Sequence, residues 1–239
     1  MEKNKKPASS TGRYNLISEN SQSTVVAEYT PAYRIVKAYQ SEAELENAFI
    51  EQLKLQAYEY LPIKSEADLV LNLRKQLEKL NEFTFSDAEW KTFFIGEIAN
   101  PNQSIAEKTA TIQEDYIKNL KRDDGTVKNI YLLRKDNIHE NNLQVINQYT
   151  NEEGQRANRY DVTVLVNGLP LVHIELKRRG VAIQEAFNQI NRYQSESFWA
   201  ESGLFEYVQI FVISNGTHTK YYSNTTRSEH IKESSEGAI

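Results

Sequence analysis

Two short alternating segments, Tyr160 to Val166 (YDVTVLV) and Leu171 to Lys177 (LVHIELK), face each other across Asn167-Gly168-Leu169-Pro170. This arrangement restricts the fold more than any other stretch of the chain. Asn-Gly between alternating apolar runs is the strongest short-range hairpin signal. Pro170 is expected to stretch the turn beyond two residues. Side chains on a strand alternate faces, so Val172, Ile174 and Leu176 are expected to enter the core. His173, Glu175 and Lys177 then share the other face, which must look at solvent or at a site.

The neighbouring text builds a domain around this hairpin. A helix is expected after it, with Ile183, Ala186, Phe187, Ile190 and Tyr193 on one face. Tyr207 to Ser214 (YVQIFVIS) reads as a buried strand, and Asn215-Gly216 turns into a last strand from Lys220 to Ser223. The first half is helical. Ser41-Glu42-Ala43-Glu44 is a capping box before a stripe of Leu45, Ala48, Phe49, Leu53 and Ala57. Ser65 caps a helix carrying Val70, Leu73, Leu77 and Leu80. Ser86 and Glu89 box another, with Trp90, Phe93, Phe94 and Ile98, which Asn100-Pro101 ends. Tyr60 to Ile63, Asn129 to Arg134 and Leu143 to Tyr149 read as further strands. The sum is α/β, or α+β on a stricter definition, with one mixed sheet. Residues 1–22, rich in Ser, Asn, Thr and Lys, are expected to form a flexible arm, residues 23–226 the folded domain, and residues 227–239 a polar linker cut in mid-stride.

Composition removes several function classes. The 239 residues contain no Cys, so disulfides, thiolate zinc sites and a Cys nucleophile are excluded. No run of 18 apolar residues exists, so no membrane span is expected. The first 15 residues lack an apolar core of the signal-peptide kind, which suits the cytoplasm. Of the four His, those at 139, 218 and 230 are scattered without ligand spacing, which disfavours a small-molecule metal hydrolase. A formal charge of −5 argues against a chain that grips nucleic acid strongly by itself.

Chemistry concentrates on the hairpin. Pairing of its strands can bring Asp161 near Glu175. Two carboxylates with a backbone carbonyl offer hard oxygen ligands suited to Mg²⁺. Lys177 beside them can orient a water or balance charge on a phosphate oxygen. Glu-x-Lys is a weak triplet: it also occurs at Glu89-Trp90-Lys91, on a helix where positions two apart do not share a face. Spacing alone leaves open a solvated sheet edge. Gln189 and Tyr193 are four apart and share a helical face, which by itself is as compatible with chance. Glu46 on the first helix is a candidate extra carboxylate or an exposed helical Glu. Arg178 and Arg179 are candidate phosphate contacts or a basic strand end. Trp90 and Trp199 read as core or interface anchors.

Asp161, Glu175-Leu176-Lys177 and Gln189-x-x-x-Tyr193 together resemble the PD-(D/E)xK nuclease superfamily, in its RecB-like branch. The text from Asn158 to Gly180, with Ala186 to Tyr193, Phe211 to Thr217 and Ser41 to Leu53, is similar to the N-terminal region of the R subunit of type I restriction–modification enzymes. The likeness runs from about residue 25 to residue 226. It implies a restriction-endonuclease-like core, with a mixed central sheet flanked by helices and extra N-terminal helices. It also implies Mg²⁺-dependent cleavage of DNA. Asp161 and Glu175 would bind metal, with the Leu176 carbonyl and, from the first helix, Glu46. Lys177 would be the catalytic lysine, with Gln189 and Tyr193 as accessory residues. The Pro that names the superfamily is replaced by Tyr160. The family's R subunit also carries an ATP-driven, superfamily 2 helicase-like motor, and works with methylation and specificity subunits. This chain has no G-x-x-x-x-G-K-[ST] loop, so the motor is expected to follow residue 239. A nuclease module whose DNA is delivered by a motor tolerates weak intrinsic affinity. The other class left open is a non-catalytic docking domain that links the motor to the methyltransferase core.

Overall fold

The computed structural model describes residues 13–19, 24–30, 41–151, 158–183, 185–186, 188–190 and 203–224. Its centre is a six-stranded mixed sheet in the order β10-β9-β8-β7-β6-β3. The strands are β3 (Glu59–Tyr60), β6 (Leu143–Asn151), β7 (Asn158–Val166), β8 (Leu169–Leu176), β9 (Ile210–Ser214) and β10 (Thr219–Ser223). The pairs β6–β7, β7–β8 and β9–β10 are antiparallel, and β3–β6 and β8–β9 are parallel. Two smaller two-stranded sheets pair β1 (Arg13–Glu19) with β2 (Thr24–Thr30), and β4 (Ile117–Lys121) with β5 (Val127–Tyr131). The fold is therefore α/β with a mixed central sheet and flanking helices, consistent with the restriction-endonuclease-like class. Residues 13–19 fall in the stretch read as an arm and are paired as a strand.

The helices start where their caps stand. Ser41 and Glu44 open α1 (Glu42–Leu55), Ser65 opens α2 (Glu66–Leu80), and Ser86 with Glu89 opens α3 (Asp87–Phe93), which continues as a π turn from Phe94 to Ile98. A further box, Ser104 with Glu107, opens α4 (Ile105–Gln113). The sequence carried that signal in the same form and it went unread. In each box a side-chain oxygen accepts an orphan N–H of the first turn and the Glu reaches back.

The hairpin corrects one expectation. Val166 pairs with Leu169, so Asn167-Gly168 alone forms the turn, with both residues at positive φ (50° and 85°). Pro170 lies inside β8, where the register slips between Val164 and Leu165. An irregular ladder is where a strand tolerates a residue without an N–H. Gly168 is required twice over: beyond its φ, an added Cβ would stand 2.6 Å from Leu73 Cα of α2.

Helices cover both faces of the sheet. On one side Leu69, Leu73 and Leu77 of α2, Trp90 and Phe93 of α3, and Ala186 and Ile190 pack with Ile146, Leu165, Phe211 and Ile213. Phe83, Phe85, Trp90, Phe93 and Phe94 form an aromatic cluster there, as expected of Trp90. On the other side Ile50 and Leu53 of α1 pack with Val145, Val162, Val164, Ile174 and Leu176. Leu45, Phe49 and Leu53 of the expected α1 stripe pack here, and the stripe is broader than expected. Ala48 is exposed, and Glu46, Ile50 and Leu53 face inward. Tyr207 lies in a 3-10 turn ahead of β9 rather than within the strand. Among the described residues no helix is long and apolar enough to cross a membrane.

Candidate active site

Two-sided coverage changes the character of the β8 polar face. Thr163, His173 and Phe211 oppose one another on adjacent strands, so His173 and Glu175 point into the larger core. Both are fully buried, not solvent-facing. His173 Nδ1 lies 3.3 Å from Thr163 Oγ1, and its ring stands edge-on to Tyr160 and Phe211. Its Nε2 is 3.7 Å from Glu175 Oε2. Tyr160, where the superfamily name would have Pro, is a core residue stacked on Tyr149.

The β7–β8 ladder ends at Val162↔Ile174. One step further, Asp161 Oδ2 accepts the Leu176 backbone N–H at 2.9 Å. A side chain thus replaces the backbone acceptor where the strands part, while β8 stays paired to β9 through Lys177 N–H and Ser214 O. The parting brings Asp161 and Glu175 together at the carboxyl end of β8. Lys177 Nζ reaches Glu175 Oε1 at 2.9 Å. The other Glu175 oxygen is buried and accepts no hydrogen bond.

This electrostatic arrangement fits a cation. Burial, then the charge of Glu175, and less so that of Glu46, push the Asp161 carboxyl up to about 7, against the opposing Leu176 N–H and Lys177. Burial opposes the charge on Lys177, but Glu175 and Asp161 outweigh it and raise its pKa. The buried Glu175, one of whose oxygens has no hydrogen-bond donor among the described residues, and the half-buried Asp161 are hard donors short of positive charge, which suits Mg²⁺. Among the described residues no three His, Cys, Asp or Glu side chains gather at ligand spacing. Asp161 and Glu175 are the carboxylates that converge here, and the charge of Glu46 reaches Asp161 from α1. The Leu176 peptide joins the site through its N–H.

Glu46 is nonetheless close by. It is buried on α1, and its two oxygens accept from Asn147 Nδ2 and Gln148 Nε2. Lys64 Nζ donates to the Asn147 carbonyl at 2.6 Å. Burial lowers the Lys64 pKa and the charge of Glu46 opposes that shift. Asn147, Gln148 and Lys64 escaped the sequence reading. Polar residues inside a strand or in a loop carry no spacing signal of their own. Arg178 and Arg179 are exposed just past β8, and the Arg178 N–H donates to Glu42 Oε1 at 3.3 Å. Gln189 is half-buried on the helical stretch 188–190, and Tyr193, Phe187 and Trp199 lie outside the described residues.

Comparison with known proteins identifies relatives of the chain. Residues 39–230 match the family model described as Type I restriction enzyme R protein N terminus. The chain is 50% identical over 212 residues to the Type I restriction enzyme EcoprrI endonuclease subunit of Escherichia coli, covering 88% of this chain and 67% of that protein. It is 42% identical over 193 residues to the SsaAORF53P endonuclease subunit of Staphylococcus saprophyticus, covering 78% of this chain and 20% of the relative. A putative type I endonuclease subunit of Methanocaldococcus jannaschii is 28% identical over 205 residues, of which this chain spans 19% of the whole. The chain thus corresponds to about two thirds of one relative and about a fifth of the others. With a match over most of its length and half its residues shared with a relative it largely covers, the chain belongs to the type I restriction enzyme R protein N-terminal family.

Proposed function

We propose that this domain hydrolyses DNA phosphodiester bonds with Mg²⁺ as the nuclease module of a type I restriction enzyme R subunit. The carrying observation is the parted end of β7 and β8, where Asp161, Glu175 and Lys177 converge. A bound Mg²⁺ supplies Lewis-acid polarisation of the phosphate and a water of lowered pKa. Asp161 and Glu175 hold the cation, and the Leu176 N–H fixes the Asp161 rotamer. Lys177, already charged, turns from Glu175 to the scissile phosphate or its attacking water and balances the developing negative charge. Gln189 and Tyr193 act as accessory residues. Arg178 and Arg179 contact flanking phosphates. Residues 23–226 form this module, and 227–239 lead toward an ATP-driven motor in the longer protein. That motor delivers DNA chosen by the specificity subunit, in a cytoplasmic complex with the methylation subunit.

The test is plasmid cleavage by the complete enzyme with ATP and Mg²⁺, comparing Asp161→Ala and Lys177→Ala with the parent. Both variants should assemble and hydrolyse ATP normally yet leave DNA intact. Cleavage at parental rate by either variant rejects the catalytic reading and favours a docking domain.

A further inference from the structure

We infer that Gln148 is a positioning residue of this site, acting through Glu46; the inference rests on the nuclease reading above. Gln148 sits in β6 with φ 54°, a left-handed conformation rare for a residue with a side chain in a strand. The β6–β7 register runs through Asn147↔Val162 and resumes at Tyr149↔Tyr160, and the pair skipped is Gln148 and Asp161. The kink is therefore directly across from the metal-binding Asp.

Its consequence is geometric. Successive side chains on a regular strand point to opposite faces. Asn147 and Gln148 are successive, yet both amides reach the same carboxylate, one to each oxygen of Glu46. The left-handed residue is what brings them together. Asn147 is itself held, since its Oδ1 accepts from Tyr60 Oη at 2.9 Å. An ionised carboxylate only accepts, so the Gln148 NH₂ must face Glu46. That orientation leaves Gln148 Oε1 buried without a hydrogen-bond donor among the described residues. A strained backbone and an unmet buried acceptor both cost stability and both persist. Together they hold the Glu46 side chain fixed near Asp161, and offer an acceptor for a water of the cation's outer shell. Glu46 contributes to cation affinity from outside the direct ligands, and Gln148 sets where it stands.

The experiment is a Mg²⁺ titration of the chain by calorimetry, with thermal melts of each apo variant. Gln148→Gly keeps the left-handed backbone accessible and removes only the amide. We expect it to weaken Mg²⁺ binding at least fivefold, Glu46→Gln to do the same, and the double variant to match Glu46→Gln alone. Such non-additivity marks action through one shared group. A merely structural role would lower the melting temperature without that pattern. Unchanged affinity in Gln148→Gly or Glu46→Gln, or a double variant whose losses add, overturns the inference. Asp161→Ala is the separate control. Loss of binding there together with no effect at Gln148 rejects only the positioning role. Retained binding in Asp161→Ala rejects the metal site itself and the inference with it.

Discussion

Lys177 Nζ lies 2.9 Å from Glu175 Oε1, and the two side chains leave the same strand end two residues apart. The glutamate is wholly enclosed and the lysine nearly so. Lysine is thus the charge partner of Glu175 and, on the proposed function, would be the charge partner of the phosphate during catalysis. A divalent cation held by Glu175 would take over that pairing and free the lysine.

Replacing Lys177 by Met should therefore separate stability, metal binding and catalysis. Removing one partner of a buried pair leaves an uncompensated charge and costs about 3–5 kcal/mol. The melting temperature without metal should drop sharply, and Mg²⁺ should restore most of it. Affinity for Mg²⁺ should hold or rise, because a competing cation is gone, while cleavage by the assembled enzyme disappears. Calorimetry beside a plasmid assay reads all of these; a variant with weakened Mg²⁺ binding would assign Lys177 to metal retention instead.

The Asp161 carboxyl makes a pH prediction with a definite sign. Its folded pKa, about 7, stands above the unfolded value of about 3.9. The folded state therefore holds the extra proton between these values. The associated stability is complete below about pH 4 and is lost as pH rises through 7. In EDTA, the parent should melt at a lower temperature at pH 8 than at pH 5.5, and Asp161→Asn should lose much of that slope. Mg²⁺ displaces the same proton, so its affinity should increase through pH 7 with proton release, measurable by calorimetry in buffers of different ionisation enthalpy. An equal slope in parent and Asp161→Asn would refute the assignment.

Two glycines offer a paired test of packing. Gly168 and Gly125 both have φ near 85°. An added Cβ would meet nothing within 4 Å at Gly125 but would collide with the α2 backbone at Leu73 from Gly168. Gly125→Ala should cost only the left-handed penalty, about 1–2 kcal/mol. Gly168→Ala adds overpacking of about 1–3 kcal/mol. Urea denaturation of both should rank them in that order, and equal midpoints would mean that α2 shifts freely away from the turn.

What could be read along the chain was set by local rules. The caps at Ser41, Ser65 and Ser86 depend on residues three apart. The β7–β8 hairpin depends on Asn167-Gly168 and on period-two alternation, and that hairpin carries Asp161, Glu175 and Lys177. Close approach of Asp161 to Glu175 was already implied by hairpin register. The structure adds the N–H of Leu176 that holds the aspartate in place.

Tertiary packing decided the rest. Alternation cannot tell a solvent face from a second buried face, so only the layer formed by α2, α3, Ala186 and Ile190 made His173 and Glu175 interior groups. The buried α1 face widened from Leu45, Phe49 and Leu53 to include Glu46 and Ile50 because the sheet against it, not the helix period, set its extent. Burial and charge from separate elements raised the Asp161 pKa. Gln148 became special only when β6 lay opposite Asp161 and α1 supplied Glu46. The sequence by itself determined the capped starts of α1, α2 and α3 and the β7–β8 hairpin, because hydrogen bonds within a few residues specify them. Desolvation and the meeting of charges from distant segments belong to the folded chain, because both depend on what the third dimension places alongside.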